Sequence, residues 1–224
     1  MDFQAIGVSL RLSFWTALIL LVVATPIAYW AAFARHRWKF LVEAVVALPL
    51  VLPPTVLGFY VLVAIGPNSP FGSLYQTLTG ALLPFSFQGL LLASVLYSLP
   101  FAVQPMRAGF ASVDRRLIEA SWCLGESRPA TFFRVIAPLS WPGLVTGMTL
   151  SFAHTMGEFG VALMVGGNLR GETRTAAIAV YDQVQALDYD AAGATAAFLL
   201  LFSFVALAIV YSLERQVWAI WPKT

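Results

Sequence analysis

Residues 107–138 read RAGFASVDRRLIEASWCLGESRPATFFRVIAP, a polar, helix-patterned island between two apolar stretches. It holds Arg107, Arg115, Arg116, Arg128 and Arg134, five of the chain's 13 Lys and Arg residues. Basic residues collect on the cytoplasmic side of a membrane protein, so this island is expected to face the cytoplasm and to meet a water-soluble partner there. Val113, Leu117, Ala120 and Leu124 recur at helical spacing on one face, with Arg115, Arg116 and Glu119 on the others. Gly125 is placed to end that helix in a left-handed turn that a Cβ would obstruct. Glu126, Ser127 and Arg128 lead into Pro129, which is tolerated in the first turn of a second helix. Phe132 and Phe133 then offer apolar area to a partner or to the chain's own cytoplasmic ends.

The surroundings of the island set the class. The chain has 224 residues, of which 59% are hydrophobic and 11% charged, far from the balance of a soluble domain. The expected fold is an all-α polytopic membrane protein, one transmembrane domain over residues 1–224. A net charge of +2 spread through membrane-flanking loops forms no basic patch and excludes a nucleic-acid partner. One cysteine, Cys123, precludes an internal disulfide and reads as a small apolar residue packed on a helix face. No Cys/His spacing suits a metal. The first apolar stretch lacks a basic leader and exceeds a cleavable signal, so it is expected to be a retained span.

A spanning helix needs about 20 mostly apolar residues. Residues 12–33, 41–65, 85–106, 139–165 and 191–213 meet that demand. With the N-terminus outside and the C-terminus in the cytoplasm, ten of the 13 basic residues fall inside, leaving Arg11, Arg170 and Arg174 outside. Trp15, Trp30, Trp38, Trp218 and Trp221 lie near span ends, as interfacial anchors do. The uncharged residues 66–84, with Gly and Pro at both ends, predict an external loop with a short helix at the interface. Residues 168–190 predict a polar external stretch whose short helix, 175–186, is capped by the turn at Gly171, Glu172 and Thr173.

The sequence of Glu119, Ala120 and Ser121, followed by Gly125 and then Pro138 with Pro142 and Gly143, resembles the cytoplasmic signature loop of binding-protein-dependent ABC importer permeases. That pattern is E-A-A, three residues, G, and further on I-x-L-P. Here Ser121 stands at the second alanine, Val135 at the isoleucine and Ala137 at the leucine. The resemblance implies a type I importer permease fold with five main transmembrane helices, short external helices and a cytoplasmic coupling helix, working by alternating access. It implies that residues 107–138 dock on the ATPase through Arg116, Glu119, Ala120, Ser121, Leu124, Gly125, Glu126 and Pro138. It also implies a homodimer, two cytoplasmic ATPase subunits and an external binding protein, in the cytoplasmic (inner) membrane. No cofactor is expected on this chain, ATP and Mg belonging to the ATPase.

Residues 156–185, MGEFGVALMVGGNLRGETRTAAIAVYDQVQ, resemble the fourth span and following external loop of molybdate transporter permeases in G-E-F-G, G-G-N, G-E-T-R-T and the A-x-Y that follows. Sulfate and thiosulfate permeases are similar over the same region but are expected to carry Lys where Glu172 stands. The resemblance implies molybdate as cargo, with tungstate as a co-substrate. Sulfate is the runner-up.

A tetrahedral dianion crossing a low-dielectric region needs hydrogen-bond donors in place of water, and strong fixed cations would trap it. Thr55, beside Pro53 and Pro54, and Thr146, Thr149, Ser151 and Thr155 in the fourth stretch are candidate pathway residues. The same hydroxyls equally suit helix-to-helix contacts. His154 and Glu158, four residues apart, form a candidate structural or gating pair at membrane depth. Arg170, Glu172 and Arg174 are candidate contacts for the external binding protein. The absence of a G-x-x-x-x-G-K-[ST] loop excludes P-loop ATP hydrolysis by this chain. An intramembrane enzyme would rest on His154 and Ser151 alone, without an oxyanion-hole motif or H-E-x-x-H.

Overall fold

The computed structural model describes the backbone of residues 1–220 and the side chains of residues 1–212. The described residues form helices and no strand: α1 (Phe3–Phe33), α2 (Lys39–Val51), α3 (Pro54–Ile65), α4 (Pro70–Thr79), α5 (Phe87–Ala111), α6 (Arg115–Cys123), α7 (Arg128–Thr131), a π-helical turn (Phe132–Ile136), α8 (Ala137–Leu139), α9 (Trp141–Met156), α10 (Gly160–Gly166), α11 (Ala176–Gln185) and α12 (Tyr189–Ile220). Helices α1 and α5, together with α12 over residues 189–212, are long and apolar enough to cross a membrane as single rods.

Helix α1 starts earlier than hydropathy alone predicts, because the Asp2 carboxylate accepts from Ala5 N–H at 3.0 Å and caps the first turn. Pro26 interrupts its ladder, and the neighbouring Thr25 hydroxyl donates to the Leu21 carbonyl. Trp15, Trp30 and Trp38 are exposed, as interfacial anchors require. The side chains of Trp218, Trp221, Arg215 and Lys223 lie outside the described residues.

Two of the expected spans are broken. Residues 41–65 bend by 114° between α2 and α3, because Pro53 and Pro54 donate no N–H and hold Leu52 and Pro53 in extended conformation. Residues 139–165 divide into α9 and α10, since Gly157 closes α9 and Glu158 turns its N–H back to the Thr155 carbonyl. The breaks abut: a Cβ on Gly160 would stand 2.8 Å from Pro54 Cβ. The two short helices expected outside the membrane are present as α4 and α11. The α11 cap is Thr175, whose hydroxyl accepts from Ile178 N–H at 3.3 Å, while the turn before it gathers the N–H groups of Glu172, Thr173 and Arg174 on the Leu169 carbonyl. The cap expected at residues 171–173 is therefore displaced to the residue that enters the helix.

The centre of the bundle is the packing of α1, α5 and α9 around Leu20, Ala24, Ala28, Ala102, Met106 and Phe110. Helices α5 and α9 touch through backbone. A Cβ on Gly143 would lie 2.8 Å from both Gly109 Cα and the Pro105 carbonyl, and one on Gly147 would lie 2.8 Å from the Ala102 carbonyl. Small residues at such positions let two spans approach closely and gain dispersion contact that lipid tails cannot replace. Replacing Gly143 by Val is therefore expected to force α5 and α9 apart and to destabilise the fold by about 1–3 kcal/mol, read as a lower unfolding midpoint of the purified protein in detergent.

Candidate functional site

The segment joining α5 to α9 is a helix, a tight turn and a bent second helix. Asp114 caps α6, its carboxylate accepting from Arg116 N–H at 2.9 Å. Ile118 and Ser121 face inward, and the Ser121 and Thr131 hydroxyls bond at 3.0 Å. Ser121, which departs from the alanine of the importer pattern, thus ties the two arms of the segment together. At the far end of α6 the turn closes with Glu126 N–H donating to the Ser121 carbonyl and Gly125 at φ +86°, a left-handed position that disfavours any Cβ. Ser127 then caps α7.

Leu117 and Ala120 project outward from this frame, and Leu124 is 85% exposed at the tip. Val113, on the same expected face, is buried instead. Trp122 and Phe133 extend the exposed apolar surface, and Cys123 is exposed rather than packed. Phe132 turns inward against Tyr29 and Phe110 at ring separations of 5.4 and 6.0 Å. Exposed ion pairs brace the segment: Glu119 with Arg115, and Glu126 with Arg134 across the turn. Arg116 and Pro138 are exposed, and Arg128–Leu139 meets α9 at 72°. An apolar surface on a rigid, cation-flanked loop suits docking into a groove of another protein.

Midway along the bundle, α5 and α9 share a polar cluster. The Ser98 hydroxyl lies 2.9 Å from both His154 Nδ1 and Thr155 Oγ1, and the His154 ring stacks on Phe101 at 3.9 Å. Ser151 donates to the Gly147 carbonyl at 2.7 Å, Thr146 is buried, and Thr149 faces an apolar groove between α1 and α12. Ser151 and Thr155 therefore spend hydrogen bonds within the bundle, Thr146 is packed inside it, and half-buried Thr149 borders the groove. Thr55 alone among the candidate pathway residues is exposed, at the break between α2 and α3. His154 and Glu158 do not pair with each other: His154 turns to Ser98, and Glu158 is 3% exposed beside Ser94 of α5. Ser94 and Ser98, one turn apart in the mostly apolar residues 89–103 of α5, were the available sequence signal for this cluster.

The opposite end of the bundle carries the N-terminus, α4 and α11. Arg174 is 8% exposed and lies between Asp2 at 3.5 Å and Asp182 at 3.3 Å. The Ser9 hydroxyl accepts from Ala176 N–H at 2.9 Å, fastening α1 to α11. Arg170 and Glu172 are exposed, and Arg170 and Arg174 border an open cleft of about 630 Å³. Of the three external residues expected to meet a partner, Arg174 is thus turned inward as a structural cation.

Residues 24–219 match the model of the family described as binding-protein-dependent transport system inner membrane component. The molybdenum transport system permease protein of Azotobacter vinelandii is 50% identical over 214 residues, 96% of this chain and 95% of that protein. That of Haemophilus influenzae is 36% identical over 83% of this chain and 81% of that protein. Among solved structures, the bacterial alginate ABC transporter in complex with its alginate pentasaccharide-bound periplasmic protein superposes with a TM-score of 0.74 at 16% identity, covering 96% of this chain and 78% of that one.

Replacing Arg174 by Met leaves Asp2 and Asp182 facing each other without a cation. The expected cost is about 1–3 kcal/mol, seen as a lower unfolding midpoint and as faster proteolysis near the N-terminus.

Proposed function

Because this chain belongs to the binding-protein-dependent transport system inner membrane component family, we infer that it is the membrane-spanning permease subunit of a molybdate importer whose ATP hydrolysis resides in a separate subunit. The observation that carries the cargo is the 50% identity to a molybdenum permease over nearly the whole of both chains. The observation that supports the coupling is local: the α6 turn presents Leu117, Ala120 and Leu124 to solvent while Ile118 packs the segment on the bundle and Ser121 ties its two arms together.

The coupling end faces the cytoplasm and the N-terminus faces outside, the orientation that leaves most basic residues inside. Leu117, Ala120 and Leu124 enter a groove of the ATPase, with Arg115, Arg116 and Arg128 at its rim. Glu119 and Glu126 hold Arg115 and Arg134 in place, and Gly125 and Pro138 set the directions in which the arms leave. Because the segment joins α5 to α9, and those helices touch backbone to backbone, a displacement of the loop moves both spans together. Two copies related by a two-fold axis, each on its own ATPase, enclose one path between them. Thr55, the exposed hydroxyl at a helix break, lines that path. An external binding protein delivers the oxyanion to the end bearing Arg170 and Glu172. Tungstate, of like charge and shape, follows the same route.

Labelled molybdate uptake by cells carrying the permease, its ATPase and its binding protein tests the cargo: a large excess of sulfate is expected to leave uptake intact, and effective competition would instead assign sulfate. For the coupling, Leu124→Asp places a charge in the apolar dock and Gly125→Val forces a β-branched side chain to positive φ at a cost of about 1–2 kcal/mol. Both are expected to insert normally and to lower uptake by about tenfold or more, with ATPase copurification reduced in the first.

A further inference from the structure

His154 is the one ionisable side chain of α9, and ionisable groups at membrane depth are costly enough to mark function. Its Nδ1 meets the Ser98 hydroxyl, which in turn meets the Thr155 hydroxyl, both at 2.9 Å. Neither hydroxyl has another partner among the described residues, and Ser98 and Thr155 are fully buried. That fixes the direction of the bonds. A proton on Nδ1 would donate to Ser98, and one of the two hydroxyl hydrogens would then be left without an acceptor. With Thr155 donating to Ser98 and Ser98 donating to Nδ1, every hydrogen is placed. Buried donors are rarely left unpaired, so the ring is neutral and carries its proton on Nε2.

Nε2 has no partner among the described residues, and half-buried His154 does not seal it from the surface. The ring is held in that pose by stacking on Phe101 at 3.9 Å, with Tyr97 at 4.8 Å. Tyr97, Phe101 and exposed Gln104 follow at helical spacing along one face of α5. Nε2 and the Gln104 amide thus open on one face of two apolar spans, where contact with lipid tails would be costly. That face borders a polar route. Tyr97 also packs on the α3–α10 cluster that includes Leu57, two positions after Thr55. Glu158, the nearest carboxylate along the chain, is buried against Ser94 and does not open there.

We propose that His154 contacts the oxyanion in transit: its Nε2–H donates a hydrogen bond to a tetrahedral dianion, while Ser98 and Thr155 are positioning residues that keep the proton on the outward nitrogen. A neutral donor replaces water around the dianion without holding it as a fixed cation would. This role rests on the reading of the chain as an oxyanion permease.

Two substitutions separate contact from packing. Glutamine places an amide N–H where Nε2 stands, whereas asparagine reaches only the position of Nδ1. His154→Gln therefore keeps the outward donor and gives up the Ser98 bond, and His154→Asn does the reverse. In cells carrying the permease, its ATPase and its binding protein, labelled molybdate uptake is expected to stay within about threefold of the parent for His154→Gln and to fall about tenfold or more for His154→Asn. Ser98→Ala releases the ring proton and should lower parent uptake about fivefold, yet add little on the His154→Gln background, which no longer uses the relay. Parent-like uptake by His154→Asn overturns the contact, and so does His154→Gln performing no better than His154→Asn. An equal loss from Ser98→Ala on both backgrounds overturns the positioning role. If either variant at His154 fails to assemble, the complex carrying Cys123→Ser and His154→Cys decides: reaction with a small anionic, membrane-impermeant methanethiosulfonate supports the route, and no reaction with or without ATP overturns it. A parent that carries sulfate but no molybdate removes the cargo assignment alone, and the same contrast is then read on sulfate. A parent that carries neither removes the permease reading and this role with it.

Discussion

Gly109 of α5 and Gly143 of α9 meet so closely that neither has room for a methyl group beside the other's backbone. Along the same line α9 presents Gly143, Gly147, Ser151 and Thr155, one every fourth residue, and α5 answers with Pro105, Ala102 and Ser98. In lipid, where burying apolar surface between helices yields little, such contact must come from packing and from hydrogen bonds between spans. Seam and hydroxyl cluster together make α5 and α9 one element. The polar segment between them is anchored at both ends to that element, and the outer helices α3 and α10 are set against it.

The chain thereby divides by stiffness. Below the level of the breaks, backbone contact and the Ser98, His154 and Thr155 bonds leave little freedom. Above it, two short helices are tied to each other and reach the rest through residues that lack regular helical hydrogen bonding. At the end bearing the N-terminus, Arg174 gathers Asp2 and Asp182, so the start of α1 and the loop before α11 are held to one another rather than left free. A membrane protein that must relay displacement needs both kinds of region, because a uniformly soft bundle would dissipate it.

The spans were legible from composition because hydrocarbon thickness fixes how many apolar residues a crossing needs. Pro53 and Pro54 announced the first break, since proline removes a donor wherever it stands. Gly157 gave weaker notice of the second, which depends on Gly160 finding Pro54, a contact between residues far apart in sequence. The turn at Gly125 could be read directly, because positive φ has a local residue preference. What could not be read was direction. Spacing placed Leu117, Ala120 and Leu124 on a common face without saying that this face is exposed, and hydroxyls in the fourth stretch fit a pathway as well as a seam until α5 supplied Ser98. Arg174 likewise looked like a surface cation; its burial depends on Asp2, which lies 172 positions earlier in the chain.

Cys123 stands exposed at the end of α6, beside the turn that carries Leu124, and it is the chain's one cysteine. A fluorophore or spin label attached there needs no engineered thiol and reports from the edge of the exposed apolar surface of α6 instead of its centre. The native permease is therefore already a singly addressable probe, in which association of any protein at this surface should register as a change in label mobility.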